Sequence, residues 1–87
     1  MKIFASAYFA KQLRKLPKKH PDLPNLLDTK FEQFLQNPKH PSLHIHKLKG
    51  NLKSQWSIRI KADIRVLFIY VNNGILITNI GPHDLVY

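Results

Sequence analysis

The sequence predicts an α+β domain: a short N-terminal strand, a helical hairpin, then a three-stranded antiparallel meander forming a small twisted sheet with the helices on one face. Three observations carry this expectation. Prolines cluster at 17, 21 and 24 and again at 38 and 41, which divides the chain into segments. Before Pro38 the apolar residues recur every three or four positions, as on a helix face. Beyond Pro41 they recur every second position, and Asn73-Gly74 supplies a hairpin turn signal, because both residues tolerate positive φ.

Each element follows in order. Residues 2–5 read as the first strand, and Ser6 is placed to cap the helix that follows. Tyr8, Phe9, Leu13 and Leu16 form the apolar stripe of that helix, which ends at Pro17. Lys11, Arg14, Lys15, Lys18 and Lys19 load its end with positive charge, which suits the helix dipole and makes a basic ridge. Asp22 is placed to cap a second helix with Pro24 in its first turn. Its stripe is Leu23, Leu26, Leu27, Phe31, Phe34 and Leu35, and it stops at Asn37-Pro38, since a residue before proline avoids the α region.

From Ser54 the pattern changes. Trp56, Ile58 and Ile60 alternate with Ser57, Arg59 and Lys61, as in a half-buried strand. Residues 64–71 are more uniformly apolar and read as a central strand, with residues 75–80 returning beside it before Gly81-Pro82 ends the ladder. A two-residue turn at Asn73-Gly74 pairs Asn72 with Ile75, Phe68 with Asn79, and sets Arg65 opposite Pro82. A three-residue loop at 62–64 pairs Lys61 with Arg65 and Arg59 with Leu67. Arg59, Lys61 and Arg65 then share one sheet face, while Trp56, Ile58, Ile60, Val66, Phe68 and Tyr70 face the helices.

Composition bounds the function. The chain has 87 residues, enough for a single domain over residues 1–87 and a small core, so any site is a surface groove. Fourteen Lys and Arg against five Asp and Glu give a net charge of +9, which favours an anionic partner. An apolar fraction of 44% argues against a disordered polycation. Without cysteine there is no disulfide, thiol nucleophile or thiolate metal site. No apolar run is long enough for a membrane span or signal peptide, so a cytoplasmic protein without membrane contact is expected.

Arg59, Lys61, Arg65, His83 and Tyr87, with Lys47 and Lys49 just upstream, make a constellation suited to phosphodiester chemistry. Scarce carboxylates disfavour a multi-carboxylate Mg²⁺ mechanism, and no cofactor is expected. RNA carries its own nucleophile, the 2′-hydroxyl. Cutting it needs a base, an acid and cations that stabilise the phosphorane-like transition state. Histidine carries protons near neutral pH, and an aromatic ring holds a splayed base. The spacing alone is equally consistent with a plain turn residue at His83, solvated charges at Arg59 and Lys61, a structural salt bridge from Arg65 to Asp63 or Asp84, and a frayed end at Tyr87. His40, His44 and His46 lie in a Pro-flanked loop with no cysteine or close carboxylate, so a solvated, RNA-facing or partner-facing loop is expected there and no metal site.

The segments 46–50 (His-Lys-Leu-Lys-Gly), 56–60 (Trp-Ser-Ile-Arg-Ile), 63–68 (Asp-Ile-Arg-Val-Leu-Phe) and 80–87 (Ile-Gly-Pro-His-Asp-Leu-Val-Tyr) resemble, in order and spacing, the RelE/ParE toxin superfamily over essentially the whole chain. That resemblance implies the toxin of a type II toxin–antitoxin pair. RelE-like and YafQ-like members cut mRNA, typically on the ribosome, by 2′-hydroxyl attack, whereas ParE-like members share the fold and poison DNA gyrase. By position, His83 matches the C-terminal catalytic histidine of YafQ-like members and Tyr87 their C-terminal aromatic. His46 falls at another functional histidine and Asp63 at an aspartate. Arg65 and the Lys47/Lys49 pair resemble the basic residues that stabilise the transition state. Arg59 stands where YafQ-like members have a further histidine, so this site is more cationic.

The expectation is therefore a metal-independent mRNA endonuclease with His83, Arg65, Arg59 and Tyr87 at the chemistry. Lys47, Lys49, His46, Lys61 and Asp63 would be on the RNA, and the partners would be an antitoxin, mRNA and ribosomal RNA. The alternatives are a gyrase inhibitor of the same fold and a non-catalytic RNA- or protein-binding module.

Overall fold

Ser6 marks the first change of direction in the chain. Its backbone is extended, and its hydroxyl accepts a hydrogen bond from the Phe9 amide at 3.0 Å, ending strand β1 (Lys2–Ala5) and opening helix α1 (Ala7–Lys15). A single 3₁₀ turn, Leu16–Lys18, carries the chain round Pro17. Helix α2 (Leu23–Gln36) begins after Asp22 and ends at Asn37, ahead of Pro38. The structure, a computed structural model, describes residues 1–49 and 54–82.

A second 3₁₀ turn, Pro41–Leu43, leads into the sheet strands β2 (His46–Lys47), β3 (Trp56–Lys61), β4 (Ile64–Val71) and β5 (Gly74–Pro82). They form one five-stranded sheet in the order β1-β5-β4-β3-β2. β1 runs parallel to β5, and every other neighbour is antiparallel. This is the α+β arrangement expected from the sequence. The two-residue strand β2 is additional, being too short to show periodicity.

The core lies between one sheet face and the helices. Ile58, Ile60, Ile64, Val66, Phe68, Ile75, Ile77 and Ile80 meet Phe9, Leu23, Leu27, Phe34 and Leu43, all buried. Phe34 and Phe68 meet edge to face with centroids 5.7 Å apart. Two residues of the expected stripes point outward instead: Tyr8 is 59% exposed and Leu35 44%.

The register departs from expectation at both hairpins. The β4–β5 turn is Asn72 and Asn73, with Val71 opposite Gly74, not Asn72 opposite Ile75. Gly74 is needed for closeness rather than for positive φ, because a Cβ there would overlap the backbone carbonyl of Lys2 on β1. Phe68 faces Ile77 and Leu67 faces Asn79, so Thr78 is an extra residue in β5. Arg65 consequently lies opposite Gly81 and not Pro82, and the ladder continues through Gly81 to Pro82.

At the other hairpin the loop is two residues, Ala62 and Asp63, with Lys61 opposite Ile64. The third residue assigned to the loop is accommodated in the strand as a bulge at Ile60. Arg59 therefore faces Arg65, and not Leu67. A one-residue slip normally sends every side chain to the other face. The bulge cancels that slip for Arg59 but leaves Lys61 on the helical side.

Past Ala5, where β1 stops, the free edge of β5 is held by a side chain. Gln12 Oε1 accepts from the Ile80 amide at 3.0 Å, and Gln12 Nε2 donates to the Ile80 carbonyl at 3.1 Å and to Asn79 Oδ1 at 2.6 Å. One carboxamide thus replaces a strand segment where the edge would lie open.

Candidate functional site

The face of the sheet away from the helices carries the groups of interest. Arg59 on β3 and Arg65 on β4 stand directly across from one another, both half-buried, and Nη1 of Arg65 is shielded from solvent. Like charges opposed in this way destabilise a sheet. A phosphate bridging the pair would reverse the sign of that contribution.

Neighbouring strands extend the face. His46 on β2 pairs with Ser57, two residues before Arg59 on the same side of β3. Ser57 is fully buried, and its Oγ has no hydrogen-bond partner among the described residues. On the other flank Gly81 of β5 lies opposite Arg65 and presents no side chain. Leu48 and Leu67 are buried on this side of the sheet and form an apolar floor beside the cations. At the β5 bulge, Thr78 Oγ1 donates to Gln55 Oε1 at 2.6 Å, tying β5 to the start of β3 across β4.

The remaining sequence-derived candidates are placed elsewhere. Lys61 was expected beside Arg59 and Arg65. It lies instead on the helical side, with Nζ 3.6 Å from Asp22 Oδ2 and 3.4 Å from His20 Nδ1. The bulge at Ile60 is the physical cause of that displacement. Asp22 thereby binds Lys61 rather than capping α2 with its side chain. Asp63 is exposed in the turn between β3 and β4. Lys47 pairs with Trp56, which sets it on the helical side of the edge strand, and Lys49 is exposed just beyond. His83 and Tyr87 lie outside the described residues.

The loop histidines separate from His46. His40 Nδ1 accepts from the Ser42 amide at 3.1 Å, and His44 adopts φ 45°, ψ 49°. No group of three His, Asp or Glu side chains is arranged to hold a metal ion among the described residues. Sequence reasoning missed Ser57, Gln12 and Thr78. Gln12 and Thr78 depend on an edge and a bulge, which leave no periodic signal, and the alternation that contains Ser57 does not tell that its hydroxyl is buried.

With this geometry in view, comparison with known proteins is decisive for the family. A model described as the RelE-like toxin of the type II toxin–antitoxin system HigB matches residues 10–83. The chain is a HigB-like toxin of the RelE family. Its fold is similar to that of YafQ from E. coli strain BL21(DE3) at a TM-score of 0.81 and 18% identity, covering 99% of this chain and 97% of that one. A copper-bound mutant toxin from Helicobacter pylori is similar at 0.81 and 21%, covering 100% and 99%. YafQ in the E. coli DinJ–YafQ complex is similar at 0.77 and 18%, covering 99% and 97%. At these identities the likeness shows the fold alone. A search of curated protein sequences returns no match. The HigB-like toxin has no helix long and apolar enough to cross a membrane among its described residues.

Proposed function

We propose that this HigB-like toxin is an endoribonuclease that cuts mRNA at the open sheet face without a metal ion. The observation that supports it most is the cross-strand pair Arg59 and Arg65, which concentrates two fixed positive charges where a phosphodiester can lie. In the proposed step the 2′-oxygen of the RNA attacks the adjacent phosphorus as a base removes its proton. The bond from phosphorus to the 5′-oxygen breaks, an acid protonates that oxygen, and a 2′,3′-cyclic phosphate remains. Arg59 and Arg65 hold the charge that builds on the non-bridging oxygens.

His83 is assigned as the acid. The assignment rests on its sequence match to the C-terminal histidine of YafQ-like members. His46 is the histidine of that face among the described residues and serves as base or RNA contact. Tyr87 is assigned to stacking on a splayed base, with Asp63 and Lys49 as outer contacts. An antitoxin partner is supported by the family and by the solved complex of the similarly folded YafQ with DinJ.

Inducing the toxin in cells and mapping the 5′ ends of mRNA, with DNA supercoiling measured alongside, tests the reading. Cuts phased to codons are expected for wild type and are lost in His83→Ala and Arg65→Gln. Intact mRNA with relaxed or broken DNA would replace this function with gyrase poisoning.

A further inference from the structure

A second concave site lies on the helical side of the sheet, away from the arginine pair. Pro38, Lys39, His40, Pro41, His44, Ile45, Trp56 and Tyr70 enclose about 510 Å³, within the size range of small-ligand clefts. Its wall is aromatic and its rim is basic. No carboxylate is among its lining residues.

The wall is held rigidly from within. Trp56 meets Tyr70 edge to face at 5.6 Å, Tyr70 meets Phe68 at 5.4 Å, and Phe68 meets the buried Phe34 at 5.7 Å. Four rings thus run outward from the core; the third, Tyr70, remains 51% exposed, and Trp56 beside it is half-buried. An aromatic surface fixed in place and left open offers a stacking platform at little entropic cost.

The rim is arranged for an anion. The Ser42 amide can only donate, so His40 Nδ1 is the acceptor at 3.1 Å and the ring proton resides on Nε2, which is then a donor. His44 is the one non-glycine residue with positive φ among the described residues. A left-handed conformation is strained for a residue with a side chain, and such strain clusters at ligand sites.

We infer that this cleft binds one unpaired nucleotide of RNA, with its base against Trp56 and Tyr70 and its phosphate against Lys39, His40 and His44. The site needs none of the cleavage chemistry and would hold RNA at a distance from the arginine pair. A basic rim without carboxylates favours a polyanion over a peptide, and the exposed ring faces favour a base.

Trp56 is the sole tryptophan and therefore the reporter. A single-stranded 2′-O-methyl octanucleotide, which cannot be cut through its 2′-oxygen, is titrated while Trp56 emission and oligonucleotide anisotropy are read together. Quenching is expected to track binding, and a duplex of the same length should quench little. Tyr70→Leu keeps apolar bulk but removes the ring, and should weaken binding about tenfold, the loss of one stacked base. Lys39→Gln combined with His44→Gly should weaken it by about fivefold or more, on the order of two exposed phosphate contacts. His44→Gly should also raise the melting temperature, since glycine accepts φ 45°, which shows that the variant is folded. Arg65→Gln should still quench, so loss of cleavage and loss of this site are told apart. Binding without quenching, equal quenching by duplex, unchanged affinity in both cleft variants, or stronger quenching by an acidic peptide would each overturn the proposal.

Discussion

Arg59 and Arg65 show what a single cross-strand pair can reveal. Placing two guanidinium groups opposite each other costs stability, on the order of 0.2–1 kcal/mol relative to a neutral pair. Replacing Arg59 with Thr, a good strand former, should therefore raise the unfolding free energy by about that amount. The same change should reduce RNA cleavage, as expected where a function is held at the expense of stability. Denaturant melts and a cleavage assay on one preparation check both signs, and a destabilised but fully active variant would refute the pairing. Gly74 gives a second residue-scale expectation. A Cβ there would meet the Lys2 backbone, so Gly74→Ala should destabilise by about 2 kcal/mol, the scale of overpacking, and loosen β1. Faster amide exchange in β1 alone would locate the damage.

At the scale of elements, the helices were nearly complete in the sequence. Ser6, Pro17, Pro24 and Asn37-Pro38 bound them, because caps and prolines act within a few residues. The strands were legible as segments but their registers were not. The extra residues at Ile60 and Thr78 look like any other β-branched residue, and only cross-strand pairing decides that they bulge. Sequence spacing therefore puts Arg59 on the right face through a loop that does not exist, and Lys61 on the wrong one. The edge of β5 was illegible for a similar reason: nothing in the spacing of Gln12 tells that its amide replaces a strand at Ile80.

Two element-scale predictions follow from these contacts. Gln12→Ala leaves the Ile80 backbone groups without their partner and should cost about 1–3 kcal/mol. Gln12→Glu should be worse, since it sets a carboxylate oxygen against the Ile80 carbonyl and Asn79 Oδ1. Both variants are read by thermal melts and by exchange protection at residues 79–82. Phe68→Ala, at the centre of the core and in the ring series toward Tyr70, should cost about 3–5 kcal/mol.

For the whole molecule, the charge of +9 divides between two sides of one sheet and the end of the first helix. Binding to single-stranded RNA should weaken steeply with salt. If four phosphates are neutralised, affinity falls about 50-fold between 50 and 200 mM, from a slope of roughly −0.7 per phosphate. Five acidic residues in the whole chain leave little for a carboxylate-held metal, and the proposed step draws its charge from Arg59 on β3 and Arg65 on β4. The decisive measurement is cleavage of a ribosome-bound mRNA by purified toxin, with the product ends analysed chemically. Fragments ending in 2′,3′-cyclic phosphate are expected, with the rate reduced about 10²–10³-fold in Arg65→Gln, the usual loss for one group stabilising a transition-state oxyanion. Uncut mRNA, or an Arg65→Gln variant that cuts at the wild-type rate, would contradict the assignment of the chemistry to this face.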